Sequence, residues 1–446
     1  MNRPRLIAAA AVLAGAMAPV IADASSGMTS SYTRPVVAIP TAPGSTNAGY
    51  GTGGEPRLLV TNDGRIVVAA HMSQWDCVTG QPTPGKGHQC VWISSDGGRT
   101  FHFSGGEPNQ QGDDVDLAQS GNVLLESTMT NKGVGTGAGG TTVTRSTDGG
   151  RTWGESVDVD KTVVNDRPFM LASPDGGLLL TYDQLPGGIF AVRSTDQGAT
   201  WGLPQPIVPE PTVVAVLNGA PAIDAARHQI LVPFAVSTAP DCASGAAGCI
   251  NSFSLARGGY DGTTWTREPV ITYATGTGGQ SVAYAAADSA GTDYYVTGIA
   301  SNGDGSTAQV DRDAHIMLSV QQRGTSAWTT HQVDPPQGGA MIPNLVAGAA
   351  GRVVVAYYWS PYADAQSHNR PWYVVVADSH DSGRTFSRTV VSKVVWVGSG
   401  MNHQKVLWDL FGLALDAEDR VNVAWTQVNR YTPAGPLTEI AFARQR

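Results

Sequence analysis

The chain predicts an all-β fold, a β-propeller of four-stranded antiparallel blades. Three observations carry this expectation. An eight-residue pattern recurs along the chain, a hairpin pattern recurs beside it, and no stretch shows the i, i+3, i+4 apolar spacing of an amphipathic helix.

The octapeptide reads Ser, any, Asp, any, Gly, any, Thr, aromatic. It stands at 94–101 (SSDGGRTF), 146–153 (STDGGRTW), 194–201 (STDQGATW) and 379–386 (SHDSGRTF), with degenerate copies at 258–265 and 321–328. Its terminal aromatics fall at 101, 153, 201, 265, 328 and 386, a period of 48 to 64 residues. The composition has a local physical logic. The Asp carboxylate can accept backbone N–H bonds inside a turn, and Gly supplies a positive φ. The aromatic side chain is placed to pack between neighbouring sheets. Asp96, Asp148, Asp196 and Asp381 are therefore assigned structural roles.

The hairpin pattern occupies 56–71, 114–128, 167–182, 220–236, 282–300, 342–359 and 410–427. Each copy is two apolar runs around a Gly- or Asp-containing turn. A third strand runs from each hairpin toward its octapeptide, and a more variable fourth strand follows. Four strands per unit, repeated seven times, describe a propeller. Seven blades are favoured over six. The last unit supplies only three strands of its own, so 34–39 (RPVVAI) is expected to close the ring as the fourth. The domain then runs over 25–446 without an internal linker.

Residues 1–24 read as a signal peptide. Arg3 and Arg5 precede an uncharged, Ala-rich run over 6–21, and Ala22-Asp23-Ala24 offers a small-x-small cleavage site. No other apolar run approaches the length of a membrane span. Export to the periplasm or the extracellular space follows, and with it oxidised cysteines. Of the three possible pairings, the local ones, Cys77–Cys90 and Cys242–Cys249, fall at equivalent places in the first and fourth units. Charged residues make up only 15% of the chain and the formal net charge is −9, without the basic clusters that nucleic acid or an anionic membrane requires. The mature protein is expected to be a monomer with a carbohydrate substrate or ligand.

In a propeller, the loops entering each first strand and leaving each second strand surround one mouth of the central channel. Polar residues at those points are the candidates for function. As catalytic candidates they comprise Asp114, Glu126, Asp166, Asp409, His71, His403 and Tyr358. As substrate-binding candidates they comprise Arg167, Trp75, Asn165, Asn218, Gln280, Trp359, Asn402 and Arg430. Such a mixture suits a sugar: carboxylates and amides bond hydroxyls, and aromatic faces stack on the ring. Paired carboxylates can divide the acid and nucleophile or base roles of a glycosidase. A His or Tyr base with an Arg or Asn beside it can serve a polysaccharide lyase instead. No cofactor is required, although the run Asp113-Asp114-Asp116 could hold Ca²⁺.

The octapeptides resemble the Asp-box, or BNR, repeats of the sialidase superfamily, and NDRPFMLASPDG at 165–176 is similar to a motif of secreted Asp-box propellers. The resemblance spans nearly all of the chain after residue 24. It implies a propeller with its boxes on the face away from the active site. Sialidases open their first strand with a Phe- or Tyr-Arg-Ile-Pro motif. Here Pro56 survives, but Gly54 stands where the first Arg belongs. The resemblance therefore transfers the fold and not the sialidase reaction. Three readings follow: a glycoside hydrolase of sialidase-like fold, a polysaccharide lyase using His71, His403 and Tyr358, and a non-catalytic binding propeller.

Overall fold

The computed structural model describes residues 31–446 apart from 46–52, 72, 85, 109–111, 131–139, 161–164, 185–187, 210–215, 238–249, 274–276, 280–282, 302–313, 366–367, 400–405 and 408. The expected signal peptide, Cys242–Cys249, Gln280, Asn402 and His403 lie outside the described residues.

Seven antiparallel sheets form the blades of a β-propeller. They span 54–106, 112–160, 165–208, 216–272, 277–332 and 339–398, and the seventh combines 412–444 with the N-terminal strand Val36–Ile39. That strand pairs antiparallel with Gly435–Arg444, with Val36 opposite Phe442. The described residues contain no helix.

The apolar runs of the second strands are continuous, not alternating, because both faces of a blade are covered. Ile66, Val68 and Ala70 of blade 1 pack toward blade 7, against Phe442 and Ile440. The intervening Val67 and Ala69 pack toward blade 2, against Val115, Leu117 and Leu124. The same division of odd and even positions recurs around the ring, so one apolar cluster fills each of the seven gaps between blades.

The octapeptide forms the turn between third and fourth strands. In its first copy Asp96 Oδ1 accepts the N–H groups of Arg99 (2.9 Å) and Thr100 (3.0 Å), and Oδ2 accepts the Thr100 hydroxyl (2.7 Å). Ser94 Oγ accepts the Gly98 N–H at 2.9 Å. Asp148, Asp196 and Asp381 accept the corresponding Thr N–H and hydroxyl groups. The Thr hydroxyl and N–H bonds draw the carboxyls of Asp196 and Asp381 down to about 2. Blade 7 has no such turn, because its fourth strand comes from the other end of the chain.

The octapeptide glycine also joins each blade to the one before it. Gly98, Gly150, Gly198 and Gly383 all have φ between 78° and 85° and rest on Phe442, Ile93, Leu125 and Leu318, one blade back. A Cβ at any of these positions would overlap that side chain. Gly198→Ala is expected to lower stability by about 2–4 kcal/mol, combining left-handed strain with overpacking against Leu125. Gly176→Ala, at φ 86° with open space around it, should cost only the strain, about 1–2 kcal/mol. Thermal denaturation of the two variants checks this; equal losses would remove the docking role.

Candidate functional site at the propeller mouth

The site is built where the first strands enter the channel, opposite the octapeptide turns. Register breaks near that end in four blades, between Gly54 and Arg57, Gly112 and Val115, Asp166 and Phe169, and Met341 and Asn344. In three of them the bulge carries a non-Gly residue at positive φ directly before a proline: Glu55 (51°), Arg167 (53°) and Ile342 (55°). Bulges re-aim side chains, and left-handed conformations are costly for such residues. Here they mark the places where Glu55 and Arg167 enter the mouth.

Arg167 lies at the centre of the cluster. Its Nη1 is 3.7 Å from Asp183 Oδ2 and its Nη2 is 3.8 Å from Asp409 Oδ2. Asp166 Oδ1 accepts the Arg167 N–H at 2.9 Å. Burial works against the guanidinium charge, but Asp166, Asp183, Asp114 and Asp409 outweigh it and raise its pKa. Asp183 is fully buried; burial first, then Asp166, pushes its carboxyl well up against the pull of Arg167. Asn218 ties the set together, its N–H to Asp183 Oδ2 (3.2 Å) and its Nδ2 to the Arg167 carbonyl (3.1 Å). Arg167 Nη1, Asp183 Oδ1, Asn165 Oδ1 and Asn218 Oδ1 are buried and have no hydrogen-bond partner among the described residues. Buried polar atoms are rarely left so, and a polyol could engage them.

A second group adjoins the first. Glu55, His71 and Asp114 each present a ligand atom, all within 4.8 Å of one another, and all three residues are buried. These are the described residues that could hold a metal ion. Glu55 Oε1 accepts the Asp409 N–H at 3.1 Å, which links the group to Asp409.

One layer deeper, period-2 spacing brings in the next inward residues of the same strands. Arg57 and Asp116 form an ion pair at 2.7 Å, Arg57 lies over the Phe169 ring at 4.8 Å, and Asp116 Oδ2 accepts the Met170 N–H. Asp116 is therefore engaged by Arg57, and the Asp113 side chain lies outside the described residues. Arg57, Tyr284, Asn344 and Phe411 also line a cavity of about 270 Å³, continued by Leu58, Leu345 and Leu413.

Of the residues anticipated at the mouth, the structure brings together His71, Asp114, Asn165, Asp166, Arg167, Asn218 and Asp409. It places others elsewhere. Tyr358 is wholly buried between blades 6 and 7; its hydroxyl donates to the Thr426 carbonyl at 3.1 Å and accepts the Thr426 N–H at 3.0 Å. Trp75 lies two residues before the Cys77–Cys90 disulfide, between the second and third strands of blade 1, and donates to the Pro40 carbonyl at 2.9 Å. Trp359 packs against the apolar cluster between blades 5 and 6, and Arg430 is exposed on the long hairpin of blade 7.

Glu126 lies between blades 1 and 2, away from Arg167, and its Oε2 accepts the Glu107 N–H at 2.8 Å. Burial, then the neighbouring Glu107, raises its pKa well above the ordinary carboxyl range. A carboxyl raised on folding contributes its stability below the unfolded pKa and loses it as pH rises through the folded one. Glu126→Gln is thus expected to raise the melting temperature at pH 8 relative to the parent, with little change at pH 4. A parent-like pH profile in the variant would refute this account.

Sequence reasoning passed over Glu55 and the bracing role of Asp183. The recurrent residue–Pro step at the start of the first strands (Glu55-Pro56, Arg167-Pro168, Ile342-Pro343) is the signal that could have found the first.

No protein-family model matches the chain, and no curated protein matches it. Solved structures share its architecture. A polysaccharide lyase, an ulvan lyase bound to –[GlcA(1–4)Rha3S]–, superposes with a TM-score of 0.58 at 10% identity, over 91% of this chain and 95% of the other. An α-L-arabinofuranosidase from Fusarium graminearum in complex with an iminosugar inhibitor gives 0.51 at 12% identity, over 92% and 98%. A protein of unknown function from Dyadobacter fermentans gives 0.51 at 15% identity, over 93% and 98%. At these identities the likeness is one of fold.

Proposed function

We propose that this protein is an exported glycoside hydrolase that cleaves an extracellular glycan at the propeller mouth. The observation that carries the reading is the ring of carboxylates around Arg167. Asp183 is sealed inside and Asp114 belongs to the adjoining group with Glu55 and His71. Asp409, with a fifth of its side chain exposed, and Asp166, half-buried, keep access to solvent and flank the guanidinium. They are assigned the acid and the nucleophile or base roles, with Arg167 positioning both.

The sign of the field supports hydrolysis over elimination. The mouth gathers Glu55, Asp114, Asp166 and Asp409 against Arg167 and His71. A negative field stabilises the positive charge that develops at the anomeric centre during glycoside cleavage. It would repel a uronate polymer, the substrate of the alternative lyase reading. Glycan-active enzymes of both kinds occur among the propellers that share this fold. Gly54, standing in place of the first sialidase arginine, argues against sialosides as substrates. The Cys77–Cys90 disulfide suits an oxidising compartment, in keeping with export through residues 1–24.

The test is a screen of the purified protein on aryl glycosides, neutral polysaccharides, sialosides and uronic-acid polysaccharides. Reducing ends and ultraviolet absorbance would be read together. New reducing ends without absorbance support the proposal. Absorbance from an unsaturated uronide would replace it with the lyase, and silence across the panel would leave a binding propeller.

A further inference from the structure

We propose that Glu55, His71 and Asp114 bind a single divalent transition-metal ion, Zn²⁺ or Mn²⁺, at the mouth of the propeller. The inference goes beyond the glycan reaction and does not depend on which reaction the mouth performs.

The three residues come from three strands of two adjacent blades: Gly54–Val60 and Ile66–His71 of blade 1, and Gly112–Ser120 of blade 2. Gly54 pairs with His71 in the sheet, and the bulge that follows Gly54 brings the Glu55 carboxylate close to the imidazole. Sites held on strands are more rigid than sites on loops. The ligand atoms lie within 4.8 Å of one another. Bonds of about 2.0–2.2 Å to a metal hold its ligand atoms roughly 3–4.4 Å apart, so closing on an ion needs side-chain movement of about an ångström or less.

Burial and charge give the second line of argument. Glu55, His71 and Asp114 are only 6%, 2% and 8% exposed. Buried carboxylates persist when a cation or strong donors compensate them. Arg167 is shared among Asp166, Asp183, Asp114 and Asp409, and Arg57 is engaged by Asp116 at 2.7 Å. A dication held by Glu55, His71 and Asp114 would sit directly against two buried carboxylates.

The donor set narrows the ion. One imidazole nitrogen with two carboxylates suits Zn²⁺ or Mn²⁺, whereas Ca²⁺ takes six to eight oxygen ligands. Three protein ligands leave coordination positions for water or a sugar hydroxyl.

The experiment is calorimetric titration of Zn²⁺, and separately Mn²⁺, into the purified protein after chelator treatment and dialysis, with elemental analysis of the product. One ion per chain is expected for the parent and for His331→Ala, a histidine on a strand of blade 5. Glu55→Gln, His71→Ala and the milder His71→Asn should each weaken binding by about tenfold or more at an unchanged melting temperature in the absence of metal. Absence of saturable binding to the folded parent, or undiminished binding by both His71 variants, would overturn the site. Binding is read directly. A metal-binding protein that is silent in the glycan screen therefore removes the hydrolase reading alone, and an active protein that binds no metal removes this one alone.

Discussion

Asp409→Asn is expected to lower kcat/KM on the cleaved glycan by about 10³-fold, with Asp166→Asn similar, because each removes a proton-transferring or nucleophilic carboxylate while preserving shape. That loss corresponds to roughly 4 kcal/mol of transition-state stabilisation. Arg167→Ala should fall as far, since it releases both carboxylates at once and leaves Asp183 buried beside Asp166 without its cation. The Asp409→Asn/Arg167→Ala double variant should lose little more than either single variant, because residues acting as one unit are not additive. Steady-state kinetics with melting temperatures held in view checks this. A KM-only effect from Asp409→Asn would make that residue a binding group and sink the assignment.

The largest expected loss of stability follows from Trp372→Ala. Trp372 is completely buried between blades 6 and 7, and its indole N–H donates to the Gly398 carbonyl at 3.0 Å. Truncation opens a cavity beside Trp396, Phe411 and Trp425 and strips that carbonyl of its donor. About 3–5 kcal/mol should be lost. Leu203→Ala, at a side chain 81% exposed, should stay within about 0.5 kcal/mol of the parent. Thermal denaturation compares the two. A Trp372→Ala variant that melts with the parent would show that this gap between blades does not hold the ring together.

Local chemistry explains why so much of the ring could be read in advance. Ser94, Asp96, Gly98 and Thr100 specify their turn with bonds made inside eight residues, so the turn shows wherever the pattern does. The second strands appear as apolar runs because neighbouring blades cover both their faces, as Val67 and Val68 illustrate. Four strands per unit and the pairing of the first two cysteines follow from the same repetition.

The mouth was only partly readable, because a candidate drawn from a loop position carries no direction. Glu126 and Asp114 lie on neighbouring strands of blade 2, yet one turns into the gap between blades and the other into the channel. Tyr358 sits at the mouth end of its strand and spends its hydroxyl on Thr426. Glu55 and Arg167 face the channel through bulges before prolines, and a bulge changes which side of a strand a residue occupies. By itself the sequence determined the repeat, the blade, the octapeptide turn and the set of polar residues from which a site could be drawn. Only the tertiary structure decided which of them meet. Repeats are written in bonds between near neighbours, whereas the site is assembled from residues as far apart as Glu55 and Asp409 by closure of the ring.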